Sequence, residues 1–168
     1  TALNTGVFEL VWREVARDGQ YRSFDWVVKV DVDAVFFPLR LKEVLRRNLG
    51  IALDGMDAVF FNNCKWGLHG PLEVVSRRAA EIFITGAKQC RGLPKDLWGE
   101  DVYLDHCLRH LGVRRKDDFR LLSEKACGLP VPAPCGSGSV SFHPFKSIQG
   151  YIECLEYAEK RSSPRSQK

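Results

Sequence analysis

The sequence lacks several features that mark particular classes of protein. No apolar run approaches the roughly 20 residues that a helix needs to cross a bilayer. The chain starts at Thr1 with neither a methionine nor a signal peptide, so we expect a piece of a longer protein whose targeting signals lie elsewhere. No Cys-x-x-Cys pair occurs, which argues against a zinc ribbon and against a thioredoxin-type redox site.

The main body of the chain also lacks an excess of charge of either sign. The formal net charge is +4, but the tail from Lys160 to Lys168 holds four basic residues and no acid. Without these four, 21 Lys and Arg stand against 21 Asp and Glu. The basic surface that nucleic-acid binding requires is therefore not expected. With 45% hydrophobic residues, the composition predicts one globular domain over residues 1–159 and a basic, disordered tail over residues 160–168.

Cysteine, by contrast, is plentiful. The six cysteines are Cys64, Cys90, Cys107, Cys127, Cys135 and Cys154. An even number without metal-ligand spacing favours disulfides in an oxidising compartment, so we predict up to three; six buried free thiols are the alternative. Cys127 and Cys135 flank a loop rich in Gly and Pro and are the expected local bridge, whereas the other pairings cannot be read from the sequence.

Apolar periodicity divides the chain into alternating helices and strands. Helices are predicted over residues 4–18, 38–48, 77–89, 99–111 and 148–159. Strands are predicted over residues 24–30, 57–62, 72–75 and 140–145, with a short one within residues 113–122. Ser76 is a suitable N-cap for the third helix. This order predicts an α/β fold with a mostly parallel sheet, in which the first strand is covered on both faces.

Two carboxylates interrupt the end of the first strand. Asp31 and Asp33 follow the apolar residues 24–30, and in a continuing strand residues two apart face the same side. Two neighbouring carboxylates repel each other, and a divalent cation relieves that repulsion, so the spacing predicts a metal site. The alternative is a strand that ends at Val30, with both aspartates capping a turn.

Three further groups of chemically active side chains stand at the predicted ends of elements, where sites are usually built. The first group is Trp66, Gly67, His69 and Gly70, the second is Trp98, Glu100 and Asp101, and the third is His143 and Lys146. Each group has a plainer explanation as well. The tryptophans could be core residues, the glycines turn residues, the acids helix caps, the histidine a hydrogen-bonded core residue and the lysine a surface residue.

Taken in order, the four groups resemble the metal-dependent, nucleotide-sugar glycosyltransferases of the GT-A fold. An apolar strand that ends in Asp-x-Asp is that fold's metal motif. Residues 100–113, which begin Glu-Asp-Val, resemble the corresponding helix of the fringe and β-1,3-galactosyltransferase group. The resemblance covers residues 24–146 and implies a three-layer sandwich, of which this chain would be the C-terminal part. The unit that holds the nucleotide base would precede Thr1, and Asp31-Val32-Asp33 lacks the third acid often seen in the fringe group.

The resemblance also implies an activity and its residues. A sugar would pass from a nucleotide-diphosphate donor to a hydroxyl of a glycan or glycoprotein in the Golgi lumen, with any membrane anchor outside this segment. Asp31, Asp33 and His143 would hold Mn²⁺ or Mg²⁺. Asp101, with Glu100 beside it, would be the general base of an inverting displacement. The residues expected to contact donor or acceptor are Lys29, Trp66, Gly67, His69, Gly70, Trp98 and Lys146.

Two other functions fit parts of the same pattern. Asp-x-Asp after an apolar strand also carries the nucleophile of haloacid-dehalogenase-type phosphatases, in which Asp31 would be the nucleophile. Lys95 and the pair Asp117-Asp118 would then be its partners, although Ala34-Val35 does not match the residues that usually follow. The other alternative is a non-catalytic, glycan-binding domain built on a transferase-like fold.

Overall fold

The computed structural model describes residues 4–48, 55–128 and 135–162. Its helices are α1 (Thr5–Asp18), α2 (Pro38–Arg47), α3 (Arg77–Gly86), α4 (Glu100–His110) and α5 (Ile148–Ser162). Its strands are β1 (Trp26–Val30), β2 (Val35–Phe36), β3 (Val59–Asn62), β4 (Leu72–Ser76), β5 (Arg114–Asp117), β6 (Leu122–Ser123) and β7 (Ser141–Phe142). Short 3₁₀ helices span Gln20–Ser23, Ala87–Gly92 and Lys125–Cys127. None of the helices in these ranges is long and apolar enough to cross a membrane.

The predicted helices are all present, with small changes at their ends. The Ser76 hydroxyl caps α3 by accepting a hydrogen bond from Ala79 N–H, which satisfies one of the free donors at a helix start. α3 stops at Gly86, and the chain continues to Gly92 as a 3₁₀ helix. α5 extends past the predicted end to Ser162, and residues 163–168 of the predicted tail lie outside the described residues.

The sheets are mixed, so the predicted mostly parallel sheet is wrong. The larger sheet has the order β1-β4-β3-β5, and the smaller one has the order β2-β7-β6. β4 runs antiparallel to both of its neighbours, β2 runs antiparallel to β7, and only β3–β5 and β6–β7 are parallel in the described residues. The loop from β3 to β4 contains no helix, so the chain reverses there as a hairpin instead of crossing over.

β1 lies at the edge of the larger sheet, which corrects the expectation that it is covered on both faces. Each of its residues is partly exposed, and its pairing is with β4 alone within the described chain. The strand begins at Trp26, and Phe24 before it is exposed. The two central strands are the buried ones, since every residue of β3 and β4 is buried.

The core forms on both faces of the central strands. Phe60 and Val75 pack in a cluster that contains residues of α1, α3 and α4. Their chain neighbours Phe61 and Val74 belong to a second cluster, with residues of α2. This alternation follows from the period of two in a strand. The α/β class is confirmed, while the three-layer GT-A architecture stays a prediction.

Three disulfides join distant parts of the chain and account for all six cysteines, which confirms the predicted number. The pairs are Cys64–Cys127, Cys90–Cys107 and Cys135–Cys154. The predicted local bridge between Cys127 and Cys135 is wrong. Cys127 lies against the loop that follows β3, whereas Cys135 reaches α5, so proximity in sequence did not give proximity in space. Three disulfides indicate an oxidising environment, either extracellular or secretory.

Candidate metal centre and its surroundings

The chain turns immediately after β1, and this turn carries both aspartates. Asp31 N–H donates to Pro71 O at 3.2 Å, and Asp31 O accepts from Ala34 N–H at 3.0 Å. The turn exposes Val32 almost completely and leaves the Asp33 side chain 17% exposed. The backbone therefore follows the turn alternative, because β1 ends at Val30 and the two aspartates are not consecutive inward residues of a strand.

The pairing of β2 with β7 brings His143 to this turn. Phe145 N–H donates to Asp33 O at 2.8 Å, and His143 Nε2 lies 3.3 Å from Asp33 Oδ1. One ligand atom each from Asp31, Asp33 and His143 falls within 4.8 Å of the others. Two carboxylates and an imidazole suit a divalent cation. The three residues predicted as ligands thus form one group that could bind a metal.

Lys146 is the present partner of Asp33. Its ammonium contacts Asp33 Oδ2, while its side chain is 77% exposed. The hydrogen bond from Lys146 lowers the pKa of Asp33, and burial of the carboxyl only partly opposes it. Asp33 is therefore ionised at neutral pH, as a metal ligand must be. An exposed lysine can leave this carboxylate without disturbing the core.

Lys29 ties the end of β1 to the start of α4. Its Nζ lies 2.6 Å from Asp31 Oδ1, 2.8 Å from Gly70 O and 3.2 Å from Glu100 Oε1. An ammonium has three N–H donors, and each has an acceptor here. Contact of Lys29 with a donor or acceptor stays a prediction; in the structure its ammonium is engaged within the protein.

Asp101 lies among donors from the loop before β4 and from α4 itself. Its Oδ2 accepts from Gly70 N–H at 3.1 Å, its Oδ1 accepts from Val102 N–H at 2.8 Å, and His69 Nδ1 lies 3.4 Å from Oδ2. Burial raises the pKa of Asp101, but His69 and the two backbone N–H groups outweigh it, so the pKa is lowered. The ring of Trp98 packs against that of His106, at a centroid distance of 4.5 Å.

Glu124 is a member of the site that the sequence did not reveal. Its Oε2 lies 3.0 Å from His143 Nδ1 and 3.0 Å from His69 Nε2. Both contacts join buried atoms, and neither is aligned as a hydrogen bond. Burial raises the pKa of Glu124, but the two imidazoles outweigh it and hold the pKa at about 2. One signal was available, because Glu124 directly follows a strand, as Asp31 does.

His69 lies between two carboxylates, one at each ring nitrogen. The contact with Asp101, followed by the contact with Glu124, raises the pKa of His69 to about 9 against the opposing effect of burial. The imidazole is therefore cationic at neutral pH. Three predicted site residues, His69, Gly70 and Asp101, are brought together here.

Glu73 is a second acid that the sequence did not single out. It stands opposite Lys29 in the β1–β4 pairing, and both of its carboxyl oxygens are buried without a hydrogen-bond partner. Burial raises the pKa of Glu73 to about 8, although the charge of Lys29 pulls it down. The group is therefore mostly a neutral carboxylic acid at pH 7.

The two tryptophans of the predicted site lie in different surroundings. Trp66 is 76% exposed, and the Lys65 ammonium lies 4.6 Å from its ring centroid. It is therefore not a core residue. Gly67 beside it has a φ of +132°, a conformation that favours glycine. Trp98 is partly buried against His106.

The sequence matches no model of a protein family, and a search of curated proteins finds no significant relative. The described residues define a mixed α/β protein with three disulfides and a carboxylate–histidine group that could bind a metal.

Proposed function

We propose that this chain belongs to a metal-dependent glycosyltransferase, which moves a sugar from a nucleotide-diphosphate donor to a hydroxyl acceptor with inversion. The observation that carries the proposal is the group formed by Asp31, Asp33 and His143, whose ligand atoms lie within 4.8 Å of one another. The Glu100-Asp101 pair that the resemblance implies as catalytic is linked to this group through Lys29.

Asp31, Asp33 and His143 would hold Mn²⁺ or Mg²⁺, of which Mn²⁺ better accepts an imidazole ligand. The bound ion would neutralise charge on the departing nucleotide diphosphate. Lys146 supports the same step. Its ammonium now contacts Asp33 and can exchange that carboxylate for a diphosphate oxygen as a point charge.

Asp101 would take the proton of the acceptor hydroxyl as the acceptor oxygen bonds to the anomeric carbon of the sugar. The bond from that carbon to the diphosphate oxygen breaks, and its electron pair leaves with the diphosphate. The cationic His69 keeps Asp101 ionised, so the carboxylate is ready to accept a proton at neutral pH. The same contact weakens Asp101 as a base, which is a cost in proton-transfer driving force.

Space for substrate lies beside Asp33 and Lys146. A cleft of about 580 Å³ is lined there by these two residues together with Val32, Phe145, Ser147, Ile148 and Tyr151. Clefts of about 300–1,000 Å³ are typical of small-molecule sites. The exposed Trp66 offers an aromatic face on which a sugar ring of a glycan or glycoprotein can stack. The disulfides fit a lumenal enzyme, for which the Golgi is our proposal.

The phosphatase alternative gains no support from its expected partners. Lys95 Nζ lies 2.9 Å from Glu9 Oε2 near α1. Asp118 accepts from Asn48 and pairs with Arg120. These contacts do not include Asp31, whose partner is Lys29. Trapping a phosphoryl analogue on Asp31 would favour the phosphatase, and glycan binding without transfer would favour the non-catalytic domain.

The test compares Mn²⁺-dependent binding of a nucleoside diphosphate, measured by titration calorimetry, in the protein and in Asp33→Ala. We expect Asp33→Ala to weaken binding by about tenfold or more, because a metal ligand is lost. Asp25→Ala is the matched control, since Asp25 is an exposed acid just before β1. Unchanged binding in Asp33→Ala would contradict the metal site.

A second variant separates binding from catalysis. Asp101→Asn keeps the shape of the side chain and removes its basicity. We expect it to lower turnover of nucleotide sugar by about 10²–10⁴-fold and to leave Mn²⁺ affinity close to that of the protein. Full turnover in Asp101→Asn would refute the assignment of the base.

A further inference from the structure

We propose that Glu124 is a positioning residue that joins the metal-binding half of this site to the half that carries the base; the inference rests on the proposed metal site. One oxygen, Oε2, lies 3.0 Å from His143 and 3.0 Å from His69. His143 contacts Asp33 through its other ring nitrogen, and His69 contacts Asp101 through its own. Glu124 is thus the midpoint of a row of side chains in which three carboxylates alternate with two imidazoles. The order is Asp33, His143, Glu124, His69 and Asp101.

The strand register fixes the His143 side of this row of side chains. β6 and β7 run parallel, with Leu122 opposite Ser141 and Ser123 opposite Phe142. Glu124 and His143 are the next residues on the two strands, and His143 N–H donates to Ser123 O at 3.2 Å. Parallel strands that end at the same level bring the side chains that follow them to the same edge of the sheet.

A different part of the chain fixes the His69 side. Asn63 Oδ1 accepts from His69 N–H at 2.8 Å, and Asn63 Nδ2 donates to His69 O at 2.8 Å. The next residue, Cys64, is bonded to Cys127, which ends the 3₁₀ helix after Glu124. Two hydrogen bonds with the Asn63 side chain and the Cys64–Cys127 disulfide therefore hold His69 against Glu124.

The carboxylate of Glu124 is not needed to shape its own segment. The 3₁₀ helix after it closes through its backbone, since Cys127 N–H donates to Glu124 O at 3.1 Å, and its side chain makes no capping hydrogen bond. The residue is 7% exposed. Burying a carboxylate costs free energy unless polar or charged partners offset it, and here the neighbouring partners are the imidazoles of His143 and His69.

The consequence for the site is orientation. The contact of Glu124 with Nδ1 of His143 leaves Nε2 of the same ring facing Asp33, and loss of such support of a metal ligand typically changes metal affinity by about 10–100-fold. On the other side, Glu124 holds the ring whose Nδ1 faces Asp101. One carboxylate therefore sets the position of both imidazoles, so one substitution affects both halves.

The experiment uses Glu124→Gln, which keeps the shape of the side chain and removes its charge. Mn²⁺ affinity is measured by electron paramagnetic resonance of free Mn²⁺, and the His69 imidazole is followed by NMR titration. We expect the dissociation constant for Mn²⁺ to rise by about tenfold or more. We expect the pKa of His69 to fall from about 9 toward its ordinary value. Asp118→Asn is the matched control, because Asp118 is a buried, ion-paired carboxylate outside this row of side chains.

The inference is overturned if Glu124→Gln binds Mn²⁺ as tightly as the protein, or if only one of the two readouts moves. An equal effect of Asp118→Asn on both readouts would show a general loss of structure and would also overturn it. If Glu124→Gln does not fold, Glu124→Asp serves, because the shorter side chain cannot keep both contacts. Absence of Mn²⁺ binding in the unmodified protein would refute the proposed function together with this inference, whereas failure in the variant alone refutes only the role of Glu124.

Discussion

At the residue scale, the pKa values of three carboxyl groups depend on burial, which raises them, and on neighbouring lysine and histidine side chains, which lower them. The stronger of the two effects differs among the three groups. Contact with Lys146 lowers the pKa of Asp33. For Glu124, burial is outweighed by two imidazoles, which hold its pKa at about 2. For Glu73, burial dominates and raises the pKa to about 8. Two of these acids are therefore ionised at neutral pH and one is mostly protonated, although all three lie within or beside one site.

The raised pKa of Glu73 makes the stability of the protein depend on pH. The protonated form is favoured in the folded state, so this contribution is complete below pH 4.5 and is lost as the pH rises through about 8. Glu73→Gln cannot ionise. We expect it to resemble the protein at low pH and to exceed its free energy of unfolding by roughly 2–4 kcal/mol at pH 8.

Urea unfolding at pH 5, 7 and 8 measures this difference. Glu43→Gln, on the surface of α2, controls for the loss of an exposed acid. A constant difference between Glu73→Gln and the protein across the three pH values would show that Glu73 is ionised in the folded state.

Sequence patterns revealed some of these residues and not others, for a physical reason. Asp31, Asp33 and His143 were predicted because they interrupt apolar stretches or fit a known spacing. Glu73 carries no such signal, and the place of Glu124 directly after a strand is a weak one, since a single acid in or after a strand is common. Their importance comes from burial and from neighbours distant in sequence, which only the folded chain supplies.

At the element scale, amphipathic helices were predictable and strand direction was not. A helix of 10 to 15 residues, as here, repeats its apolar face several times, so its signal is strong. A strand of two residues, such as β6 or β7, has no period to read. The direction of a strand depends on the connection before it, which is why the hairpin from β3 to β4 overturned the parallel arrangement.

The contact between the loop before β4 and the start of α4 depends on the small size of Gly70. A Cβ atom there would lie 3.0 Å from Glu100 Oε1 and 3.6 Å from Lys29 Nζ. We expect Gly70→Ala to push Glu100 away from Lys29 and to lower the free energy of unfolding by about 1 kcal/mol. If the proposed function holds, we expect Gly70→Ala to reduce nucleotide-sugar turnover as well, because the start of α4 carries Asp101.

Gly92→Ala is the matched control, since a Cβ at Gly92 meets nothing within 4 Å. Thermal unfolding and turnover of both variants, measured side by side, check the prediction. Equal stability and turnover in Gly70→Ala and Gly92→Ala would show that the close approach at Gly70 has no consequence.

At the scale of the whole molecule, the three disulfides differ in the length of chain that they close. Cys64–Cys127 closes 63 residues, whereas Cys90–Cys107 closes 17. Cross-links over longer segments remove more entropy from the unfolded chain. We expect the double Ser variant at Cys64 and Cys127 to lose about 4 kcal/mol of unfolding free energy, against about 3 kcal/mol for the pair Cys90 and Cys107.

Chemical unfolding of the two double variants tests this order. Mn²⁺ affinity adds a second comparison, because the bond at Cys64 also holds the His69 loop against Glu124 and the other bond does not. A larger loss of both stability and affinity from the Cys90 and Cys107 pair would contradict the prediction.

Because of the Cys64–Cys127 bond, the conditions under which the protein is made affect the site. A chain made where thiols stay reduced contains every residue of the site, yet nothing covalent keeps the His69 loop beside Glu124. Such material has the same amino-acid composition as the oxidised protein, and we expect it to show a weakened site. The compartment in which the protein is made therefore determines whether the site is held together. An assay of this protein should use material in which no free thiol remains.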